Sequence, residues 1–144
     1  MKIKQATMSD LSSVAELSAE LWPEHTAKEL LEELREMDEE NSTLFLAVED
    51  EAPAGFAQCQ LRYDYVEGTE HSPVGYLEGI YVREGHRGQG FAKALLAACE
   101  NWAKEKGCTE FASDCELDNT GSLAFHLSVG FEEANRIICF TKKL

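Results

Sequence analysis

No run in the 144 residues approaches the ~20 consecutive apolar residues that an α-helix needs to cross a bilayer. The first residues, Met-Lys-Ile-Lys-Gln, have no apolar stretch of the kind a secretory leader carries and read instead as a strand. The chain is therefore expected to act in the cytoplasm, away from membranes. Cysteine is present only at Cys59, Cys99, Cys108, Cys115 and Cys139, an odd number without a Cys-x-x-Cys pair. That excludes a disulfide framework and a zinc knuckle as organising principles, and predicts buried, reduced thiols. The histidines (His25, His71, His86, His126) are scattered, so no metal centre is expected. Proline occurs three times, too rarely for a linker or an extended proline-rich tract.

Positive charge is also scarce. Thirteen basic residues face 27 acidic ones, for a net charge of −14. Such a surface repels nucleic acid and anionic lipid, so neither is an expected partner. Eleven of the acids lie between Glu24 and Glu51, against only Lys28 and Arg35. They have two compatible readings: a solvated acidic helix that keeps the protein soluble, and a field that draws in a cationic substrate.

What remains is an ordinary globular chain, 44% hydrophobic, of single-domain length. Its hydrophobic period alternates between strand and helix. Residues 1–6 read as a strand. A helix over 10–22, capped by Ser9 or Asp10, carries Leu11, Val14, Leu17 and Leu21 on one side. Trp22-Pro23-Glu24-His25 breaks it. Thr26 and Glu29 have capping-box spacing for a second helix, which buries Leu30, Leu31, Leu34 and Met37 and ends near Glu40-Asn41. Strands follow at Thr43–Glu49, Gly55–Tyr65 and Val74–Val82, with a turn at Asp50–Pro53 and a polar loop at Tyr65–Pro73. A strong helix spans Phe91–Lys106, and Gly107 stops it. Thr109–Asp114 is a strand, Asn119 caps a helix over 120–129, and a final strand pair is predicted at Glu132–Ala134 and Arg136–Lys142. The order βααβββαβαββ predicts an α/β domain with a mixed, mostly antiparallel sheet flanked by helices.

The segment His86-Arg87-Gly88-Gln89-Gly90-Phe91-Ala92 lies between an apolar strand and the start of the long helix. In that context backbone N–H groups can wrap a phosphate, the helix dipole favours the anion, and glycines let the chain approach it closely. The segment lacks the Gly-Lys-Ser/Thr of a Walker loop and the spacing of a dinucleotide fingerprint. A plain glycine turn at a helix start is the bland reading.

The pattern Arg87-x-x-Gly90-x-Ala92, following the strand Tyr76–Val82 and followed later by Gly130-Phe131, resembles the pyrophosphate loop of the Gcn5-related N-acetyltransferases (GNAT). The element order is similar from end to end. The resemblance implies an acetyl-CoA-dependent N-acetyltransferase domain over residues 1–144. Acetyl-CoA would be a co-substrate, with no metal. The pantetheine arm would lie along Ile80, Tyr81 and Val82, whose main-chain N–H groups would polarise the thioester carbonyl. The pyrophosphate would rest on the amides of Arg87, Gly88, Gln89, Gly90, Phe91 and Ala92, and Asn119 would reach the arm from the other side.

A closer resemblance runs along Leu21-Trp22-Pro23, Asp64-Tyr65-Val66, Ser72-Pro73-Val74, Leu77-Glu78-Gly79-Ile80, Ala112-Ser113-Asp114 and Gly130-Phe131-Glu132-Glu133. Together these are similar to the aminoglycoside 6'-N-acetyltransferases, enzymes of antibiotic resistance. The resemblance implies Trp22, His25, Tyr65, Glu78, Asp114 and Asn135 as acceptor-site residues, and a homodimer built through the C-terminal strands.

Carboxylates suit a polycationic sugar, and aromatic faces can cover its rings. The attacking amine must be neutral, so a carboxylate can take its proton directly or through water. Glu78 is the expected proton acceptor or relay, with Asp114 orienting the amines. The competing readings are structural. Glu78 would be a carboxylate paired with Arg or Lys, Asp114 a strand-end turn residue, Trp22 core, and Tyr65 a sheet-face aromatic. His126 stands where many members of the superfamily have a tyrosine acid; it is either a proton donor to the thiolate or a helix-face histidine. Asn135 replaces an acid of some relatives and brings no charge. Cys115 has no neighbouring histidine in sequence to activate it, which favours direct transfer over an acyl-enzyme. An acetyltransferase for a polyamine or a peptide N-terminus, and a non-catalytic acyl-CoA-binding regulatory domain, are the alternative readings.

Overall fold

In the computed structural model, which describes residues 1–144, one five-stranded sheet organises the chain. The strands are β1 (Lys2–Gln5), β2 (Ser42–Glu49), β3 (Ala52–Arg62), β4 (Val74–Val82) and β5 (Phe111–Ala112), in that spatial order. The first four pair antiparallel; β5 joins β4 in parallel. Helices α1 (Leu11–Leu21) and α2 (Ala27–Arg35) cover one face, while α3 (Phe91–Glu105) packs on the other; α4 is Thr120–Ser128. Strand alternation produces two apolar layers. Ala57, Cys59 and Leu61 of β3 face Leu95, Leu96, Cys99 and Trp102 of α3. Phe56 and Leu46 face Val14, Leu17, Leu30 and Leu34.

Local chemistry explains the boundaries. Thr26 caps α2 by accepting from the Glu29 amide at 3.1 Å, as its spacing predicts. Asp10 stands at the N-cap of α1, as expected, but its side chain caps the turn before the helix rather than α1 itself. Thr7 opens a 3-10 turn at Met8–Asp10, and the Asp10 carboxylate accepts from the Thr7 amide at 2.8 Å. That backbone bond, aided by Lys4, holds the Asp10 carboxyl below its ordinary range. Helix α2 stops at Arg35, short of the expected 40–41, because the Asp38 carboxylate accepts from the Glu40 amide and the Asn41 side chain, which favours a turn over a further helical step. Asp50 and Glu51 take positive φ in the tight turn joining β2 to β3.

Two corrections concern the sheet. The predicted strand Thr109–Asp114 contracts to two residues, Phe111 and Ala112. The predicted final strand pair is absent: residues 131–144 carry no regular element. Ile137, Ile138 and Phe140 are 66%, 81% and 87% exposed. A short run of β-branched and aromatic residues such as Ile137–Phe140 favours a strand, but a strand also needs an edge to pair with, and this segment pairs with none within the chain. The thiol expectation holds for Cys59, Cys99 and Cys108, which are buried; Cys115 and Cys139 are exposed.

A β-bulge in β4 positions the site. Gln58 pairs with Gly79 and Cys59 with Leu77, leaving Glu78 as the extra residue. Beyond it the inside and outside of β4 exchange: Leu77 and Ile80 both pack toward α3, three positions apart rather than two.

Candidate functional site

The glycine loop connects β4 to α3. Gly88 and Gly90 have φ of +75° and +86°, a left-handed conformation that favours glycine. Gly90 is also the N-cap of α3 and offers no side-chain acceptor to the first-turn amides. The contrast is with Thr26 on α2 and Asn119 on α4, each of whose side chains accepts from the amide of its helix's third residue. The first turn of α3 therefore keeps its N–H groups for something outside the helix. Side chains of the loop are turned back on the protein. Arg87 Nε donates to the Val82 carbonyl at 2.8 Å, and Gln89 Nε2 donates to the Gly85 carbonyl at 3.4 Å. His86 Nδ1 lies 2.8 Å from Glu49 Oε2, with its ring against Phe91.

A cavity of about 300 Å³ opens here. Val82, Arg87, Gly88, Gly90, Phe91 and Ala92 line one side, and Phe125 and Ser128 of α4, with Val129 just after it, the other. Next to it, β5 ends after pairing with Gly75 and Tyr76, so β4 from Leu77 to Val82 has no strand on that edge. Of the expected cofactor residues, Val82 and the loop reach the cavity wall, except Gln89. Ile80 packs against the α3-side core and Tyr81 donates from its hydroxyl to Glu20 at 3.3 Å. Asn119 is not in the wall; its Oδ1 accepts from the Ser122 amide at 3.1 Å. Sequence reasoning missed His86, Lys93, Phe125, Ser128 and Val129. The last three fall at helical i, i+3, i+4 spacing, a signal that was available.

The second cluster lies on the α1-side face of β3 and β4. Glu78 Oε1 accepts from Gln60 Nε2 at 2.7 Å and from Arg62 Nη2 at 2.8 Å and Nε at 3.1 Å. Its Oε2 accepts from Arg62 Nη2 at 3.1 Å. The Arg62 guanidinium also lies over the Tyr76 ring, 3.4 Å from its centroid. The Tyr76 hydroxyl donates to Asp114 Oδ2. Burial first, and then the Asp114 carboxylate, push the Tyr76 hydroxyl well above the ordinary phenol range, so it remains a donor. Glu78 is thus paired with an arginine, as the structural reading had it, while standing beside Asp114's anchor. Gln60, Arg62 and Tyr76 were not singled out from the sequence. The two β3 residues are the polar positions that alternate with buried Cys59 and Leu61, which was their signal.

Trp22 closes this face from the end of α1. Its ring packs edge-on to Phe56, with centroids 6.2 Å apart, and against the backbone of Gly79. The other expected acceptor residues are exposed. Tyr65 is 77% exposed on the β3–β4 loop. His25 is exposed, 3.4 Å from Glu29. Asn135 donates from Nδ2 to Glu67 at 2.9 Å, tying the C-terminal segment to that same loop. Glu110 secures the loop from beneath, accepting from the Glu70 and His71 amides and facing His71 Nδ1 at 2.7 Å.

His126 is more than a helix-face residue. Its Nδ1 lies 2.7 Å from the Ser122 carbonyl and must donate to it; Nε2 lies 2.8 Å from Ser113 Oγ. In the neutral imidazole, Nε2 then accepts from the serine, so proton donation from that atom requires the cationic form. Both nitrogens are engaged, which leaves Cys115 without His126 as an activating base.

Comparison with known proteins agrees with this geometry. Residues 8–131 match the acetyltransferase (GNAT) family. An Acinetobacter haemolyticus protein named aminoglycoside N(6')-acetyltransferase type 1 is 42% identical over 144 residues, covering 100% of this chain and 99% of its own. One of the same name from Stenotrophomonas maltophilia is also 42% identical, covering 99% and 93%. The apo crystal structure of aminoglycoside 6'-N-acetyltransferase AAC(6')-IG from A. haemolyticus superposes with a TM-score of 0.94 at 41% identity, covering 100% and 99%. AAC(6')-Iy, solved with the bisubstrate analogue CoA-S-monomethyl-acetylneamine, superposes with a TM-score of 0.92 at 38% identity, covering 99% and 98%.

Proposed function

The chain belongs to the acetyltransferase (GNAT) family, and from that premise we propose that it transfers the acetyl group of acetyl-CoA directly to the 6'-amino group of aminoglycosides. The observation that carries this reading is full-length likeness to AAC(6')-Iy, whose bound analogue joins CoA to acetylneamine. Residues 1–144 would form one N-acetyltransferase domain, supported by a single continuous sheet.

The chain's own residues divide the work. The pyrophosphate would take the amides of Gly88–Ala92, as the uncapped α3 start and the cavity there support. The edge of β4 would supply main-chain donors to the pantetheine arm and the thioester carbonyl, whose oxygen becomes an oxyanion in the tetrahedral intermediate. The neutral 6'-amine forms the new C–N bond, and the C–S bond then breaks to release the CoA thiolate. The proton shed by nitrogen goes to Glu78, directly or through water, while Asp114 holds neighbouring ammonium groups. Glu78 Oε2 is the oxygen suited to this, since it accepts one hydrogen bond where Oε1 accepts three. Trp22 covers a sugar ring; Tyr65, His25 and Asn135 act at the rim.

A homodimer through the C-terminal segment is part of this reading. Exposed Ile137, Ile138 and Phe140, without a pairing edge in their own chain, support it. Sedimentation should give twice the chain mass, falling to one when residues 137–144 are removed; a monomeric full-length chain would refute it. A cytoplasmic setting fits a reaction that draws on acetyl-CoA and a chain with five free thiols.

The function is tested by following free thiol with acetyl-CoA and kanamycin or tobramycin, with spermidine as the competing acceptor. Release with the aminoglycosides is expected. Release with spermidine alone would refute the acceptor, and silence with every amine would refute catalysis. Glu78→Ala is expected to lower turnover more than acetyl-CoA binding, and unchanged turnover would remove Glu78 from the chemistry.

A further inference from the structure

We propose that Arg62 is a positioning residue for both acceptor-side carboxylates, forking onto Glu78 and clamping Tyr76, whose hydroxyl holds Asp114. The proposal rests on the acceptor reading above and deepens it. Glu78 occupies a bulge and Asp114 lies beyond a two-residue strand, so neither is fixed by a regular ladder on both sides. Their orientation must come from side chains.

Arg62 supplies it in two ways. Its fork makes three contacts with the Glu78 carboxylate, and Gln60 adds a fourth. Its flat face lies on the Tyr76 ring, which limits how that ring can move. The buried ring then presents its hydroxyl to Asp114. The two carboxylates, one on β4 and one in the segment after β5, are thus linked through Arg62 and Tyr76. The charges also matter. Two carboxylates and one guanidinium leave a single net negative charge, so the site recognises a cation without the mutual repulsion of two bare anions. An ammonium group would approach Glu78 from Oε2, the oxygen Arg62 grips least.

Arg62→Lys keeps the charge but removes both the fork and the face. With structure intact, it is expected to lower kcat/KM for the aminoglycoside roughly tenfold or more, the scale of lost charge-assisted hydrogen bonds. The acetyl-CoA KM should stay unchanged. A second readout needs neither substrate. In proton NMR of the free protein, the Tyr76 hydroxyl bound to a carboxylate should give a downfield resonance, assigned by its loss in Tyr76→Phe. Arg62→Lys and Arg62→Gln should shift or broaden it, while thermal unfolding confirms the fold. An unaltered hydroxyl resonance in both variants would overturn the proposal, as would equal losses for the aminoglycoside and for acetyl-CoA. An unmutated protein that fails to acetylate aminoglycosides would sink the acceptor reading instead; the resonance would still decide whether Arg62 holds the array.

Discussion

Gly79→Ala places a methyl group against the indole of Trp22, and its consequence can be worked from the packing. The added Cβ would lie 2.7 Å from Trp22 Cη2 and 2.9 Å from Cζ2. Restoring an ordinary 3.4 Å contact requires a shift of roughly 0.7 Å. Gly79 does not have positive φ, so the substitution carries steric rather than backbone strain. Behind the indole stands Phe56, fully buried, so the ring must tilt outward over the acceptor face. Overpacking of this kind costs about 1–3 kcal/mol, and each kcal/mol lowers Tm by about 3 °C in a domain this size. A fall of roughly 3–9 °C follows. Kinetically, the aminoglycoside KM should rise while the acetyl-CoA KM holds. The decisive arrangement is a double-mutant cycle with Trp22→Ala, which empties the space the methyl needs. In that background Gly79→Ala should cost almost nothing. A similar Tm loss in both backgrounds would mean the penalty lies elsewhere in β4, and an unmoved aminoglycoside KM would detach Trp22 from the acceptor.

Three further outcomes are expected. Gly90→Val, at a left-handed position with open space around its Cβ, should weaken acetyl-CoA binding by refolding the loop, and unaltered affinity by calorimetry would mean the anion binds elsewhere. The Glu110 carboxyl is held below its ordinary 4.5, chiefly by the Glu70 amide and then by His71. A depressed folded-state value means its contribution is present above that ordinary value and lost as pH falls below it through the depressed one. Glu110→Gln should therefore expose the Glu70–His71 amides to hydrogen exchange at neutral pH and make little difference in strong acid; equal protection in both proteins at pH 7 would contradict the clamp. Added salt should raise the aminoglycoside KM, because an exposed acidic surface acts through a field that ions screen; a flat response would remove that field from substrate capture.

Much of this was legible in the chain. Val74–Val82 and the Thr26 cap follow from period and spacing, because local chemistry decides them. The place of the glycine loop between β4 and α3 was readable for the same reason: the left-handed backbone at Gly88 and Gly90 leaves few residue choices. The bulge at Glu78 was not, since the sequence Val74–Val82 does not show which residue lacks a partner until β3 and β4 pair in register. Nor was Arg62, whose importance arises only when β3 and β4 pair in register and bring it over Tyr76. The C-terminal residues failed in the opposite direction. Their apolar, β-favouring run at Ile137–Phe140 predicts a strand, yet pairing depends on an edge that no single-chain pattern can specify.

The central claim is that an anion-binding loop and a carboxylate-lined face together acetylate one particular amine of an aminoglycoside. The measurement that tests it most directly is NMR mapping of the product formed from acetyl-CoA and kanamycin or tobramycin. The account predicts a single new amide at the 6'-nitrogen, with one thiol released per amide formed. Acetylation at another nitrogen would contradict the placement of the acceptor, and thiol release without any amide would contradict the transfer itself.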